Sequence, residues 1–176
     1  MSLRWFVILL LGMLPSPATL GQAGEVPQEY LVKTKYLISI PLYTDLPPQA
    51  MRGDAYTICL AGDTPLENVL RPYAGKLILN RPLAIKAVEE TGQLERCQML
   101  FIASSERNHL QTLLQDAQRH GVLTISDMRN FTRLGGMISL QTVENRVTFD
   151  MNLPAAKKAS ISFSSQLLKL ARDIIR

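Results

Sequence analysis

The sequence predicts an α/β fold, a three-layer sandwich with a mixed, mostly parallel sheet, helices on both faces and a C-terminal antiparallel hairpin. Short apolar runs typical of buried strands alternate along the chain with amphipathic stretches that have helical spacing. Two further strand-like segments, residues 137–142 and 146–152, flank Glu144-Asn145, which is typical of a hairpin turn. Residues 146–152 alternate between apolar and polar side chains, as an antiparallel edge strand does.

The first half of the chain contains two predicted helices and one predicted strand. Residues 29–40 repeat apolar side chains at helical spacing, and Pro41 ends the helix. Residues 56–61 form a mostly apolar, β-rich run that predicts a buried strand. A second helix is expected over residues 66–73, with Thr64 as its N-cap.

The middle of the chain continues the alternation. Residues 76–88 predict two extended pieces around 80–82, and residues 97–103 predict a second buried strand. A long helix over residues 106–119 should follow, capped by a serine and ended by Gly121.

The last elements complete the predicted sandwich. Residues 122–126 form a third buried strand, and two glycines open the first strand of the hairpin. Ser164 and Ser165 are N-cap candidates for a final helix over residues 166–175. Its apolar side chains recur at helical spacing, which predicts that one face packs on the core.

Residues 1–23 have the three parts of a secretory signal peptide. Arg4 supplies a cationic start, residues 5–14 form an apolar run of about ten residues, and small residues follow Pro15 and Pro17. The alternative is an N-terminal membrane anchor, but a spanning helix needs about 20 apolar residues and the prolines end this run too early.

We expect cleavage after Ala23, with Ala18 as the alternative, which leaves residues 24–176 as a single exported domain. The full chain is 47% hydrophobic, enough for a core, and its formal net charge is only +4. No run of Lys and Arg approaches the density of a nucleic-acid-binding patch, so nucleic acid is not an expected partner.

Polar residues follow three of the predicted parallel strands, where ligands bind in such folds. Asp63, Glu106 and Asp127 are therefore candidate ligand-binding residues, together with Gly135 and Gly136. Paired carboxylates can perform acid–base work. The alternative is ordinary helix capping and turn formation, which favours the same residue types.

The sequence offers no positive case for an enzyme, a cofactor or a metal site. No nucleophile elbow and no H-E-x-x-H motif is present. Cys59, Cys97, His109 and His120 lack the close spacing of zinc ligands. Two cysteines in an exported chain favour a disulfide, which here closes a loop of 38 residues. The alternative is two buried free thiols.

Several segments in a fixed order resemble the YfiR family of exported proteins, and the resemblance extends over about residues 29–174. The segments that carry it are 58–63 (ICLAGD), 97–106 (CQMLFIASSE), 122–127 (VLTISD), Phe131, 135–138 (GGMI), 146–153 (RVTFDMNL) and 164–171 (SSQLLKLA).

The resemblance implies a periplasmic regulator that binds the periplasmic domain of an inner-membrane diguanylate cyclase and holds it inactive, lowering cyclic di-GMP signalling and biofilm formation. It also implies an outer-membrane OmpA-like lipoprotein that sequesters the regulator, and a homodimer. Cys59 and Cys97 match the family's shared pair. A second pair found in the family is absent, because Ile138-Ser139 stands where its cysteine would fall, which puts redox behaviour tied to it in doubt.

Five apolar residues outside the predicted core stripes are candidate partner contacts under this interpretation. They are Leu42, Tyr43, Leu46, Phe131 and Leu134. The alternative for each is packing against the domain's own core. The rival function is a periplasmic small-molecule-binding module that uses the candidate ligand residues.

Overall fold

The computed structural model describes residues 27–89 and 93–176, so the expected signal peptide lies outside the described residues. Eight strands form one sheet in the order β10-β8-β7-β6-β5-β2-β4-β3, and β1 pairs with β9 separately. The strands are β1 (Thr44–Asp45), β2 (Tyr56–Ala61), β3 (Leu77–Ile78), β4 (Arg81–Val88), β5 (Met99–Ile102), β6 (Leu123–Ser126), β7 (Ile138–Val143), β8 (Arg146–Asn152), β9 (Ser162–Phe163) and β10 (Asp173–Ile175).

The sheet is mixed and mostly parallel. From β4 through β2, β5 and β6 to β7, every neighbouring pair is parallel, while β7 and β8 form the antiparallel hairpin. All residues of β5 and β6 are buried, as expected for parallel strands covered on both faces.

Helices cover both faces of the sheet. Alternate residues of β2 divide between two cores: Ile58 packs with α1, α2, α4 and α5 on one face, and Cys59 packs with α3 on the other. The predicted three-layer sandwich is thus confirmed. The helices are α1 (Gln28–Ser39), α2 (Leu66–Leu70), α3 (Leu110–His120), α4 (Leu153–Lys158) and α5 (Ser165–Leu170).

Most predicted elements form close to their expected bounds, and the start of the long central helix is an exception. Residues Ser104–His109 form a 3-10 helix, and α3 begins only at Leu110. The 3-10 segment is held at the end of β2, where Ser105 Oγ accepts a hydrogen bond from the N–H of Asp63. Gly121 ends α3 with a φ of +68°, as expected of a left-handed C-cap.

The prediction for the C-terminus was wrong in two respects. The helix over residues 166–175 stops at Leu170, and Asp173–Ile175 forms β10, which pairs in parallel with β8. As a result β8 is not an edge strand. Arg172 attaches the C-terminal segment to β8, since its backbone N–H donates to Phe149 O and its guanidinium binds Asp150 through two hydrogen bonds.

Two further elements were not predicted. Asn152 caps α4, with its side-chain oxygen accepting a hydrogen bond from the N–H of Ala155. The β1–β9 pair joins Thr44 to Phe163 across the chain. Both elements are short, and the β1–β9 pair also depends on a contact between distant parts of the chain.

Candidate functional site

The carboxyl ends of β2, β5 and β6 open onto one polar cavity of about 330 Å³, which we call the carboxyl-edge cavity. Asp63 follows β2, Ser104 and Ser105 follow β5, and Asp127 follows β6. The lining residues are Glu29, Tyr30, Lys33, Asp63, Thr64, Ala103, Ser104, Ser105, Asp127, Leu140, Gln141 and Thr142. This is the edge at which doubly wound sheets bind ligands.

Lys33 is the central charge of the carboxyl-edge cavity. Its Nζ lies 2.8 Å from Asp127 Oδ2, 3.5 Å from Glu29 Oε2 and 4.4 Å from the centre of the Tyr30 ring. Partial burial and the carboxylate of Asp127 raise the pKa of Tyr30. The Lys33 side chain is only 5% exposed, so this ammonium depends on its carboxylate partners rather than on water.

The carboxyl-edge cavity is fixed by contacts of β7 with α1 and with the residue that follows β6. Thr142 Oγ1 donates a 2.7 Å hydrogen bond to Glu29 Oε2, and Gln141 Nε2 donates to the carbonyl oxygen of Asp127. With three carboxylates and one ammonium, the formal charge of the lining is negative. The cavity is therefore suited to small polar molecules that carry a cationic group.

The structure separates the five candidate ligand residues. Asp63 and Asp127 line the carboxyl-edge cavity, whereas Glu106 pairs with His109 at 3.0 Å in a neighbouring cavity of about 360 Å³. Gly135 lines a cleft of about 220 Å³ beside α3 and α4, and none of the three acids is part of its lining. Within residues 27–89 and 93–176, no His, Cys, Asp or Glu cluster could hold a metal ion.

Gly136 has a packing role. The ring of Phe131 fills the space that a Cβ atom at position 136 would occupy. The carboxyl-edge cavity therefore contains two of the predicted residues, and Gly136 supports the core instead.

Sequence reasoning missed Lys33, Glu29 and Tyr30. The available signal was local, since Glu29 and Lys33 are four residues apart and Lys33 shares a helix face with the buried Leu37. A lysine on the inner face of an amphipathic helix requires a buried counter-charge. Nothing local indicated that Asp127 supplies it.

Cys59 and Cys97 form a disulfide, which confirms the sequence prediction. Cys59 lies in β2, Cys97 precedes β5, and both are almost completely buried against α3. The bond joins neighbouring strands at the centre of the sheet.

The five candidate partner contacts differ in exposure. Leu42 and Tyr43 are 56% and 37% exposed on a short 3-10 helix, Ile40–Tyr43. Leu46 and Leu134 are partly buried against the two cores. Phe131 is completely buried, so the expectation that it is exposed was wrong.

A further exposed apolar residue lies on the helix that packs against the segment of Leu42 and Tyr43. Leu170 is 71% exposed on α5, and α5 packs against the Ile40–Tyr43 segment. The N–H of Ser164, the N-cap residue of α5, donates to the carbonyl oxygen of Tyr43. We call Leu42, Tyr43 and Leu170 the apolar patch.

Among the described residues, no helix has both the length and the apolar character needed to span a membrane. Comparison with known sequences finds one family, whose model is described as YfiR/HmsC-like and matches residues 30–172. No curated protein matches the sequence.

Two solved structures share the fold. One is the ABC domain in complex with L-Trp from Streptococcus pneumonia, with a TM-score of 0.54 and 10% identity, covering 83% of this chain and 60% of its own. The other is a conserved domain protein from Vibrio cholerae O1 biovar El Tor, with a TM-score of 0.54 and 9% identity, covering 82% of this chain and 60% of its own. The chain thus spans about 60% of each, and at this identity the likeness concerns the fold alone.

Proposed function

Because the chain belongs to the YfiR/HmsC-like family, we propose that it is a periplasmic regulator that binds the periplasmic domain of an inner-membrane diguanylate cyclase and restrains it. The observation that carries this proposal is the family match, which extends from α1 to the residue before β10. The family is regulatory rather than catalytic, and no catalytic motif is present in the sequence. Residues 1–23 would direct export as a cleaved signal peptide.

Restraint of a cyclase requires that the regulator bind its inactive arrangement more tightly than its active one, because only a difference in affinity moves an equilibrium. The apolar patch is the surface that we assign to this contact. Tyr is among the residues that most often dominate binding energy at interfaces. The segment Ile40–Tyr43, which carries two residues of the patch, is held in place before binding, because Thr44 Oγ1 donates a hydrogen bond to Ile40 O.

Two further partners are part of the proposal. An outer-membrane OmpA-like lipoprotein would sequester the regulator and release the cyclase, and the regulator would act as a homodimer. Competition between lipoprotein and cyclase for the apolar patch would couple the two events, because occupancy by one partner excludes the other.

The test is the cellular concentration of cyclic di-GMP in a strain that lacks this protein. Deletion should raise it, and complementation with the full chain should restore it, whereas a version lacking residues 1–23 should not. An unchanged concentration on deletion would contradict restraint of a cyclase. Equal rescue by both versions would contradict the need for export.

The second candidate function is a periplasmic small-molecule-binding module, favoured by the position of the carboxyl-edge cavity with Lys33, Asp63 and Asp127. A ligand screen by thermal unfolding separates the two functions. A ligand at 100 times its dissociation constant stabilises the protein by about 2.7 kcal/mol. Loss of that effect in Asp63→Asn would place the ligand in the cavity, and a screen with no stabilising compound would leave the module without support.

A further inference from the structure

The α3 side of the sheet is apolar over its centre and polar over the C-terminal hairpin. Over β2 and β5 this side consists of apolar residues that α3 covers. Over β7 and β8 it presents Ser139, Gln141 and Asp150, which line a separate cavity of about 260 Å³. We call this the hairpin cavity. Its complete lining is Arg129, Asn130, Thr132, Arg133, Ser139, Gln141, Asp150, Arg172 and Asp173.

Three guanidinium groups surround the hairpin cavity. Arg129 and Arg133 are exposed, and neither forms an ion pair with any residue that the structure describes. Arg172 is fixed by two hydrogen bonds to the carboxylate of Asp150, which raises its pKa, and it keeps its other N–H donors. The second acid, Asp173, accepts the N–H of Ile174. The formal charge of the lining is therefore positive.

The loop that carries Arg129 and Arg133 is held rigidly from the sheet. Phe131, midway between the two arginines, is completely buried and packs under Gly136. Asn152 Nδ2 donates a 2.7 Å hydrogen bond to the carbonyl oxygen of Thr132. Because Phe131 is buried and the carbonyl of Thr132 is held by Asn152, the backbone that carries the two arginines is fixed on the surface, and little backbone entropy is lost when a ligand binds them.

A second set of contacts fixes the start of this loop. Gln141 Nε2 donates to the carbonyl oxygens of Asp127 and Met128, each at 3.3 Å. The N–H of Met128 donates to Ser126 Oγ, which itself donates to Ile102 O. The arginine loop is thus tied to three strands of the sheet.

We propose that the hairpin cavity binds a small anion with a phosphate or carboxylate group, held by Arg129, Arg133 and Arg172. A guanidinium presents paired N–H donors that match the oxygens of both groups. The volume lies below the roughly 300–1,000 Å³ of pockets for drug-sized ligands, which fits one small anion. The lining of this site shares only Gln141 with the carboxyl-edge cavity and no residue with the apolar patch, and the proposal does not depend on the identity of the cyclase partner.

Calorimetric titration of the mature protein with inorganic phosphate and with succinate, at an ionic strength matched with chloride, tests the proposal. At least one of the two anions should bind, and Arg129→Gln/Arg133→Gln should weaken its dissociation constant at least tenfold. The control variant Lys35→Gln/Arg107→Gln removes the same charge from two exposed residues that do not line the cavity, and its dissociation constant should stay within twofold of the wild type.

Three outcomes would overturn the proposal. The first is that neither anion binds above the chloride baseline, and the second is that both double variants weaken binding equally, which would indicate net charge alone. The third is that the protein binds no free anion but binds phosphatidylcholine vesicles that contain phosphatidylglycerol, and that Arg129→Gln/Arg133→Gln abolishes this vesicle binding. Equal unfolding midpoints of the two double variants in chloride would show that both are folded.

Discussion

The ammonium of Lys33 in α1 donates a hydrogen bond of 2.8 Å to Oδ2 of Asp127, which lies 94 residues further along the chain. The side chains of the two residues are only 5% and 16% exposed. This pair attaches the first helix to the carboxyl end of β6. The shape of the carboxyl-edge cavity therefore depends on this ion pair, whether or not the cavity binds a ligand.

Replacing Lys33 should destabilise the protein through the carboxylate that it leaves behind. We expect Lys33→Met to lower the free energy of unfolding by about 3 kcal/mol, the lower end for a broken buried ion pair. Lys33→Met/Asp127→Asn should lose less, because the more buried carboxylate is then neutral, while Glu29 is partly exposed and keeps its hydrogen bond from Thr142. Urea unfolding measures both, with Arg71→Met as the control for an exposed helix pair of about 0.5 kcal/mol. Equal losses in the single and double variants would contradict a stabilising pair.

The position of Lys33 also shows why only part of the carboxyl-edge cavity could be predicted from the sequence. Asp63 and Asp127 follow apolar runs, so their place at the ends of parallel strands could be inferred locally. The partner of Lys33 could not, because it is distant in sequence. The same holds for β10, whose residues have helical spacing but are drawn to β8 by Arg172 and Asp150.

Tyr56 carries a buried hydroxyl that has no hydrogen-bond partner in the described part of the chain. An unsatisfied buried polar group costs about 1–3 kcal/mol, so Tyr56→Phe should raise the free energy of unfolding by about 1 kcal/mol at pH 7. Tyr36→Phe is the matched control with the opposite sign. It removes a 3.1 Å hydrogen bond to Val147 O and should cost about 1 kcal/mol.

Burial also raises the pKa of Tyr56 above its ordinary value of 10.0. Above about pH 10 the unfolded chain loses this proton while the folded protein keeps it, so wild-type stability falls as pH rises. Tyr56→Phe lacks this contribution, and its advantage should widen by up to about 1.4 kcal/mol per pH unit above that point. Urea unfolding at pH 7 and pH 11 measures the difference, and an unchanged gap would contradict a neutral buried phenol.

The disulfide between Cys59 and Cys97 closes a loop of 38 residues. Chain-entropy reasoning assigns such a loop about 4 kcal/mol. Reduction with dithiothreitol should therefore lower the urea midpoint substantially, whereas Cys59→Ala/Cys97→Ala should show a low midpoint that dithiothreitol does not change. A wild-type midpoint that dithiothreitol leaves unaltered, with both thiols shown to be free, would contradict a stabilising role.

Charged substitutions should have different effects in the apolar patch and at the buried Phe131. Tyr43→Asp should leave an exported, folded protein that no longer lowers cyclic di-GMP, because Tyr43 is partly exposed. Phe131→Asp should instead prevent accumulation, since a charge in the core lacks a partner. Leu77→Asp, at a residue 70% exposed on the distant strand β3, is the control and should retain regulation. Normal regulation by Tyr43→Asp would exclude the patch as the cyclase contact.

The contact between Gly136 and Phe131 predicts a destabilisation that depends on a second residue. A Cβ at position 136 would meet the Phe131 ring, while the φ of Gly136 lies outside the left-handed region, so the backbone itself accepts alanine. Gly136→Ala should therefore cost about 1–3 kcal/mol by overpacking. Phe131→Leu replaces the opposing ring with a smaller side chain, and the double variant should lose less stability than the sum of the single losses, as contacting residues do.

Gly53→Ala is the control, because its Cβ would meet nothing within 4 Å and its cost comes from a φ of +85°. That cost should simply add to that of Phe131→Leu, whereas additivity at Gly136 as well would show that the ring is not what requires glycine there.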